Sequence, residues 1–221
     1  MNGNNGKKIK EWGEYDRIDS MIKVGEYFVF KACINNKWFW IDITDGKKVD
    51  KWGEMYGNRG IEHVGSLYVF QATLNNKYFW VNTSNGLKLD EWGEYDDIKT
   101  YGIEKVCSLF VFPAKQNDKW FWVNTKNGMK VKSWGEYDDL YFNRGSELAG
   151  SLWVFPAKLN NKWFWVNTKN GEKIEEWGEW DRFIRGLYEL NGEFYFFGML
   201  YGDLYWYDIT NNKKIKYENE E

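Results

Sequence analysis

Asn161-Lys162-Trp163-Phe164-Trp165-Val166-Asn167-Thr168, running on through Lys169-Asn170-Gly171-Glu172-Lys173-Ile174 to Trp177-Gly178-Glu179, decides the fold because most of the chain repeats it. With Asp for the first Asn it returns as Asp118-Lys119-Trp120-Phe121-Trp122 before Trp134-Gly135-Glu136. Two earlier copies are Asn76-Lys77-Tyr78-Phe79-Trp80 before Trp92-Gly93-Glu94, and Asn36-Lys37-Trp38-Phe39-Trp40 before Trp52-Gly53-Glu54. A diverged fifth copy is Gly202-Asp203-Leu204-Tyr205-Trp206. The marker tryptophans Trp12, Trp52, Trp92, Trp134 and Trp177 stand 40, 40, 42 and 43 residues apart, which gives five repeats. A period near forty belongs to solenoids, propellers and arrays.

Turn dipeptides recur in register and cut each repeat into strands. Gly25-Glu26, Gly65-Ser66, Cys107-Ser108, Gly150-Ser151 and Asn191-Gly192 mark the first hairpin. Asn35-Asn36, Asn75-Asn76, Asn117-Asp118, Asn160-Asn161 and Tyr201-Gly202 mark the second, and Asp45-Gly46, Asn85-Gly86, Asn127-Gly128, Asn170-Gly171 and Asn211-Asn212 the third. Asn, Asp and Gly tolerate the positive φ that tight hairpins require. In the first repeat the expected strands are 21–24, 27–34, 37–44 and 47–51. The second and third strands are apolar without alternation, as in strands covered on both faces. The fourth alternates lysine with single apolar residues and reads as a solvated edge. Pro113 and Pro156 are expected to end the second strand of their repeats, or to mark a bulge there.

Three tight hairpins joining four strands describe a propeller blade, so the expected fold is all-β: a five-bladed β-propeller of four-stranded antiparallel meander blades, in a single repeat domain over residues 1–221. An open β-repeat array or solenoid is the alternative. The fourth-strand motif occurs six times, because Asn5-Gly6-Lys7-Lys8-Ile9-Lys10 opens the chain and Asn211-Asn212-Lys213-Lys214-Ile215-Lys216 closes it. Such a surplus copy either adds an edge strand or caps an open array.

Bulk composition narrows the partners. Thirty basic and 33 acidic residues give a formal charge of −3 and are mixed along the chain, which leaves no basic stripe for nucleic acid and no polybasic membrane patch. Cys33 and Cys107 fall at different places in the repeat, so a reducing compartment is the simpler reading. Without an apolar run behind the N-terminus or a stretch of spanning length, a cytoplasmic location is expected.

The order Asn-Lys-Trp, two apolar residues, Asn, Asn-Gly-x-Lys-Val and then Tyr95-Asp96-Asp97-Ile98 or Tyr137-Asp138-Asp139-Leu140 resembles the bacterial WG (KWG) repeat. The family's Trp-Gly pair would fall at Trp38-Phe39, Tyr78-Phe79, Trp120-Phe121 and Trp163-Phe164, where this chain has no glycine. The resemblance implies a β-repeat with a binding or interaction role and brings no catalytic residues. In repeat number and size the chain is also similar to five-bladed propeller lectins.

Candidates for chemistry are few. His63 is the only histidine and has no recurring partner, whereas acid–base catalysis needs one in position. No nucleophile elbow, phosphate loop, Cys-x-x-Cys or metal-ligand spacing occurs, so no enzyme activity, metal or cofactor is expected. Asp96-Asp97 and Asp138-Asp139 read as turn formers. The Trp-Gly-Glu tryptophans read as packing between blades. Their alternative role is as sugar platforms, at Trp12, Trp52, Trp92, Trp134 and Trp177.

In an up-and-down meander the turns after the second strand and the connections after the fourth emerge on one side. The Asn-Asn-Lys turns therefore share a face with the segments after Trp-Gly-Glu, where all the length variation lies. Variable loops on one face of a repeat array commonly bind. The candidate binding residues there are Tyr56, Arg59, Tyr101, Tyr141, Arg144 and Arg185 in the loops, and Lys37, Lys77, Lys119 and Lys162 in the turns. Tyr and Arg are frequent at recognition hot spots. The expected function is a non-enzymatic protein-interaction module, with a multivalent carbohydrate-binding lectin as the alternative. Protein or glycan is thus the expected partner.

Overall fold

The computed structural model describes residues 13–55, 60–99, 102–140 and 145–218. No α-helix occurs among them, and the chain is all-β: antiparallel, propeller-type meanders joined by tight turns and single-turn 3-10 segments. It divides into two compact units, Met1–Thr100 and Tyr101–Glu221.

In the first unit, strands Arg17–Val24, Tyr27–Ile34 and Lys37–Asp42 form one meander. Leu67–Leu74 and Lys77–Asn82 form the next, with Glu62–Val64 on the free edge of the former. Positive φ falls on Gly25 and Gly65 alone in the first hairpins, the type II′ pattern. It falls on both residues of Asn35-Asn36 and Asn75-Asn76, the type I′ pattern.

Between the meanders, Asp50–Trp52 make one 3-10 turn and Gly53 follows at φ 59°. Glu54–Met55 then bonds to both repeats at once. Met55 pairs with Trp38 of the first, while Glu54 and Met55 pair with Thr73 and Ala72 of the second. A Cβ on Gly53 would run into the Thr73 carbonyl, so the close approach requires glycine.

The second unit builds the same joint twice. Trp120 and Tyr137 exchange two backbone hydrogen bonds of 2.9 Å, and Asp139 and Leu140 go on to pair with Lys158 and Ala157. Trp163 and Trp180 exchange bonds of 2.8 Å, and Arg182 and Phe183 pair with Met199 and Gly198. The final meander, Arg182–Leu190, Glu193–Leu200, Asp203–Asp208 and Lys213–Lys216, has four full strands.

Aromatic side chains fill the space at each joint. Trp52 lies edge-on to Trp40 and Phe70, 6.5 and 5.1 Å away, and donates its indole N–H to the Gly86 carbonyl at 2.9 Å. Trp134 packs on Trp122 and Phe155 and donates to the Thr168 carbonyl at 2.7 Å. The hydrogen bond removes the cost of burying the indole nitrogen, leaving the gain from the apolar area.

Three sequence expectations are corrected. The fourth strand is short in the inner repeats: residues 47–51 hold a single bridge, Ile41 to Lys48, and elsewhere the strand is Leu87–Lys88, Met129–Lys130 or a bridge at Lys173. The chain leaves the edge early because the next tryptophan must turn under the sheet. The first strand is also longer than four residues, since the Tyr-Asp segment is its opening half. In the middle repeats this half is parted from the second half, as Asp139–Leu140 is from Glu147–Ala149.

Pro113 and Pro156, expected at strand ends, lie inside Leu109–Gln116 and Leu152–Leu159. Pro156 faces Trp165, whose carbonyl accepts from Ile174 on the far side. Ladder alternation therefore turns the Pro156 nitrogen away from Lys162–Asn167, so no hydrogen bond to that strand is lost. The surplus motif at 5–10 lies outside the described residues.

Trp134→Ala is expected to destabilise the protein by about 3–5 kcal/mol, the usual range for emptying a large buried aromatic site. Urea unfolding checks this, and a loss below about 1 kcal/mol would show that the indole is not the wedge described.

Candidate functional site

At the Asn-turn end the four candidate lysines are engaged. Lys77, Lys119 and Lys162 each bond to the Asp of the following Tyr-Asp or Trp-Asp pair, Asp96, Asp138 and Asp181, at 2.5 Å. Asp138 also accepts the Asn160 N–H at 2.8 Å, and Asp181 that of Tyr201 at 2.6 Å, so each carboxylate ties one repeat's turn lysine to the next repeat's I′ turn. Lys119 and the Asn160 N–H hold the Asp138 carboxyl below its ordinary range, and Lys162 with the Tyr201 N–H does the same for Asp181. These lysines fasten joints through exposed ion pairs.

Trp52, Trp92, Trp134 and Trp177 are 2%, 2%, 3% and 7% exposed. The sugar-platform alternative is corrected for these four, because an indole wedged between strands has no open face to stack on. Trp12 lies outside the described residues. Tyr95 and Tyr137, at the joint, are equally enclosed, and burial pushes both phenols up to about 12.

Of the loop candidates, Tyr56, Arg59, Tyr101, Tyr141 and Arg144 lie outside the described residues. Arg185 is exposed between two register shifts of Arg182–Leu190 and has no ion pair among the described residues. The length-varying segments fall between the two halves of the first strand, as between Asp139–Leu140 and Glu147–Ala149, and in the last repeat the segment runs into the continuous strand Arg182–Leu190. The glycines that follow them have a packing role: a Cβ on Gly145 or Gly186 would strike the carboxylate of Glu104 or Glu147. Glu104 accepts the Ser146 N–H and hydroxyl at 2.7 and 2.9 Å, and Glu147 accepts the Leu187 N–H at 2.7 Å.

His63 is exposed, with its ring 4.6 Å from that of Tyr68. Cys33 is buried, Cys107 is exposed, and both are free. Among the described residues no group of three or more His, Cys, Asp or Glu side chains could hold a metal ion.

Sequence reading missed a second recurring constellation. Lys88, Lys130 and Lys173 lie over Phe79, Phe121 and Phe164 at 5.9, 5.3 and 6.0 Å and pair with Glu94, Glu136 and Glu179 of Trp-Gly-Glu. Lys88 and Lys173 also bond to Asp90 and Glu175. The signal was present: a Gly-x-Lys six residues before each of these glutamates.

The first repeat breaks this pattern. By register Tyr56 stands where other repeats have Asp96, Asp138 and Asp181. Lys37 pairs instead with Glu54 at 2.8 Å. Lys48 is thereby parted from Glu54 and lies 3.7 Å over the Phe39 ring. At this place a cleft of ≈ 420 Å³ opens, lined by Phe39, Lys48, Asp50, Glu54, Asn75 and Asn76 among others.

No protein-family model matches the chain, and no curated protein does. Among solved structures, the computationally designed Ika8 protein is similar at 12% identity and TM-score 0.43, over 92% of this chain and 62% of that one. Dihydro-heme d1 dehydrogenase NirN in complex with DHE is similar at 8% identity and TM-score 0.46, over 91% of this chain and 48% of that one. A streptogramin B lyase structure is similar at 16% identity and TM-score 0.37, over 92% and 69%. The chain thus spans 62% and 48% of the length of the first two. Likenesses this distant supply neither activity nor ligand.

Because Asp138 and Asp181 are held below the ordinary aspartate range, their stabilising contribution is present above that range and lost as pH falls through the lowered values. The melting temperature is therefore expected to drop below about pH 4 and to drop less in an Asp138→Asn, Asp181→Asn double variant. Parallel acid profiles for the two proteins would contradict the assignment.

Proposed function

We propose that this chain is a non-enzymatic binding protein, a repeat scaffold that engages another protein through residues set in the breaks of its first strands. The reading rests on how the repeat uses its polar side chains. Turn lysines, Trp-Gly-Glu glutamates and most Tyr-Asp carboxylates are paired within the fold, whereas the segments between the halves of the first strands differ in length and sequence, and Arg185, in the strand Arg182–Leu190, is exposed with no ion pair among the described residues. Unlike segments on equivalent scaffolding suit one extended partner better than five copies of a small ligand. The WG-type repeat pattern agrees with such a role.

The Arg59→Ala, Arg144→Ala, Arg185→Ala triple variant tests this. Chemical cross-linking in the native source, read by mass spectrometry, should attach a protein partner to the wild type and lose it in the variant, with circular dichroism unchanged. Partners retained at wild-type levels by the folded triple variant would refute the proposal.

A further inference from the structure

We infer that the cleft between the first two repeats is a single saccharide-binding site, distinct from the protein-binding breaks proposed above and from the buried tryptophans. Its volume of ≈ 420 Å³ falls within the range of small-ligand sites. It exists because one ion pair has moved. In the second and fourth repeats the equivalent lysine is held by two carboxylates, Lys88 by Asp90 and Glu94 and Lys173 by Glu175 and Glu179. In the first repeat Lys37 takes Glu54, and Lys48 bonds to neither Asp50 nor Glu54. A cation and a carboxylate that close on each other elsewhere are here held apart across a cleft.

The lining matches a hydroxyl-rich ligand. Lys48 only donates, Asp50 only accepts, and the amides of Asn75 and Asn76 do both. Sugar hydroxyls, which donate and accept, can meet all three kinds, while the Phe39 ring, with the Lys48 ammonium 3.7 Å over it, holds that donor at the wall of the cleft. Charge speaks against ionic ligands: Glu54 is already neutralised by Lys37, and Lys48 and Asp50 balance, so a strong anion would face Asp50 and a strong cation Lys48. In the other repeats the equivalent lysines, Lys88, Lys130 and Lys173, are paired with their glutamates, so one site per chain is expected.

Titration of the whole chain with a panel of free neutral hexoses and N-acetylhexosamines, beside nucleotide and amino-acid panels, tests this by chemical-shift perturbation. The expected result is one saccharide class bound with 1:1 stoichiometry, weakened about tenfold or more by Lys48→Met and by Asp50→Asn, since each removes a charge-assisted hydrogen bond. Lys88→Met and Asp90→Asn should leave binding unchanged. Tyr56→Asp, which gives Lys37 the partner that other repeats supply, should return Glu54 to Lys48 and abolish binding in a protein with unaltered melting. No saccharide bound by the folded wild type, binding indifferent to Lys48→Met and Asp50→Asn, or nucleotides or amino acids bound there instead would each overturn the inference.

Discussion

Everything in this chain hangs on the short passage that follows each Trp-Gly. At the first such joint the Trp52 indole turns in between two meanders, Gly53 takes a positive φ against the Thr73 carbonyl, and Glu54–Met55 hydrogen-bonds to the repeat behind and the repeat ahead. A lone meander blade would leave both faces of its apolar second strand in water. The joint covers them and fixes the register of successive repeats through backbone bonds, which do not depend on side-chain identity. Met55, Tyr95, Tyr137 and Trp180 can therefore share one structural position.

Once the joint is set, the charged residues around it have little freedom. The turn lysine reaches the Asp just past the joint, and the edge lysine reaches the Glu just before it. Exposed pairs of this kind contribute little stability individually. Their consequence is selective: they occupy groups that would otherwise face solvent, and they make a single substitution visible. Position 56 holds Tyr where the other repeats have Asp, Lys37 pairs with Glu54 instead, Lys48 is left over the Phe39 ring, and a groove lies beside it.

Much of this was legible in the one-dimensional pattern. Asn35-Asn36 and its counterparts announced tight hairpins, and the structure makes them type I′, because Asn accepts two successive positive φ values better than most residues. Packing between blades was the favoured reading of Trp52 and Trp134, which recur with period forty beside a glycine, and both are buried. The edge strand was over-read. Alternation in Lys47-Lys48-Val49-Asp50-Lys51 looks like a strand locally, yet the pull of Trp52 toward Phe70 ends it after one bridge. The ion pairs of the turn lysines were not legible, since a charge on a turn looks free until its partner, nineteen residues away in the case of Lys119 and Asp138, is brought beside it.

The sequence by itself determined the all-β class, the five repeats and the position of the hairpins, because periodicity and positive-φ residues act over a few neighbouring positions. Only the tertiary structure decided which charges are spent and which remain. Ion pairing depends on distances between side chains of successive repeats, and no local pattern contains those distances. A groove between Lys48 and Asp50 is the result of such a distance, and so is a buried indole that sequence alone left open to either role.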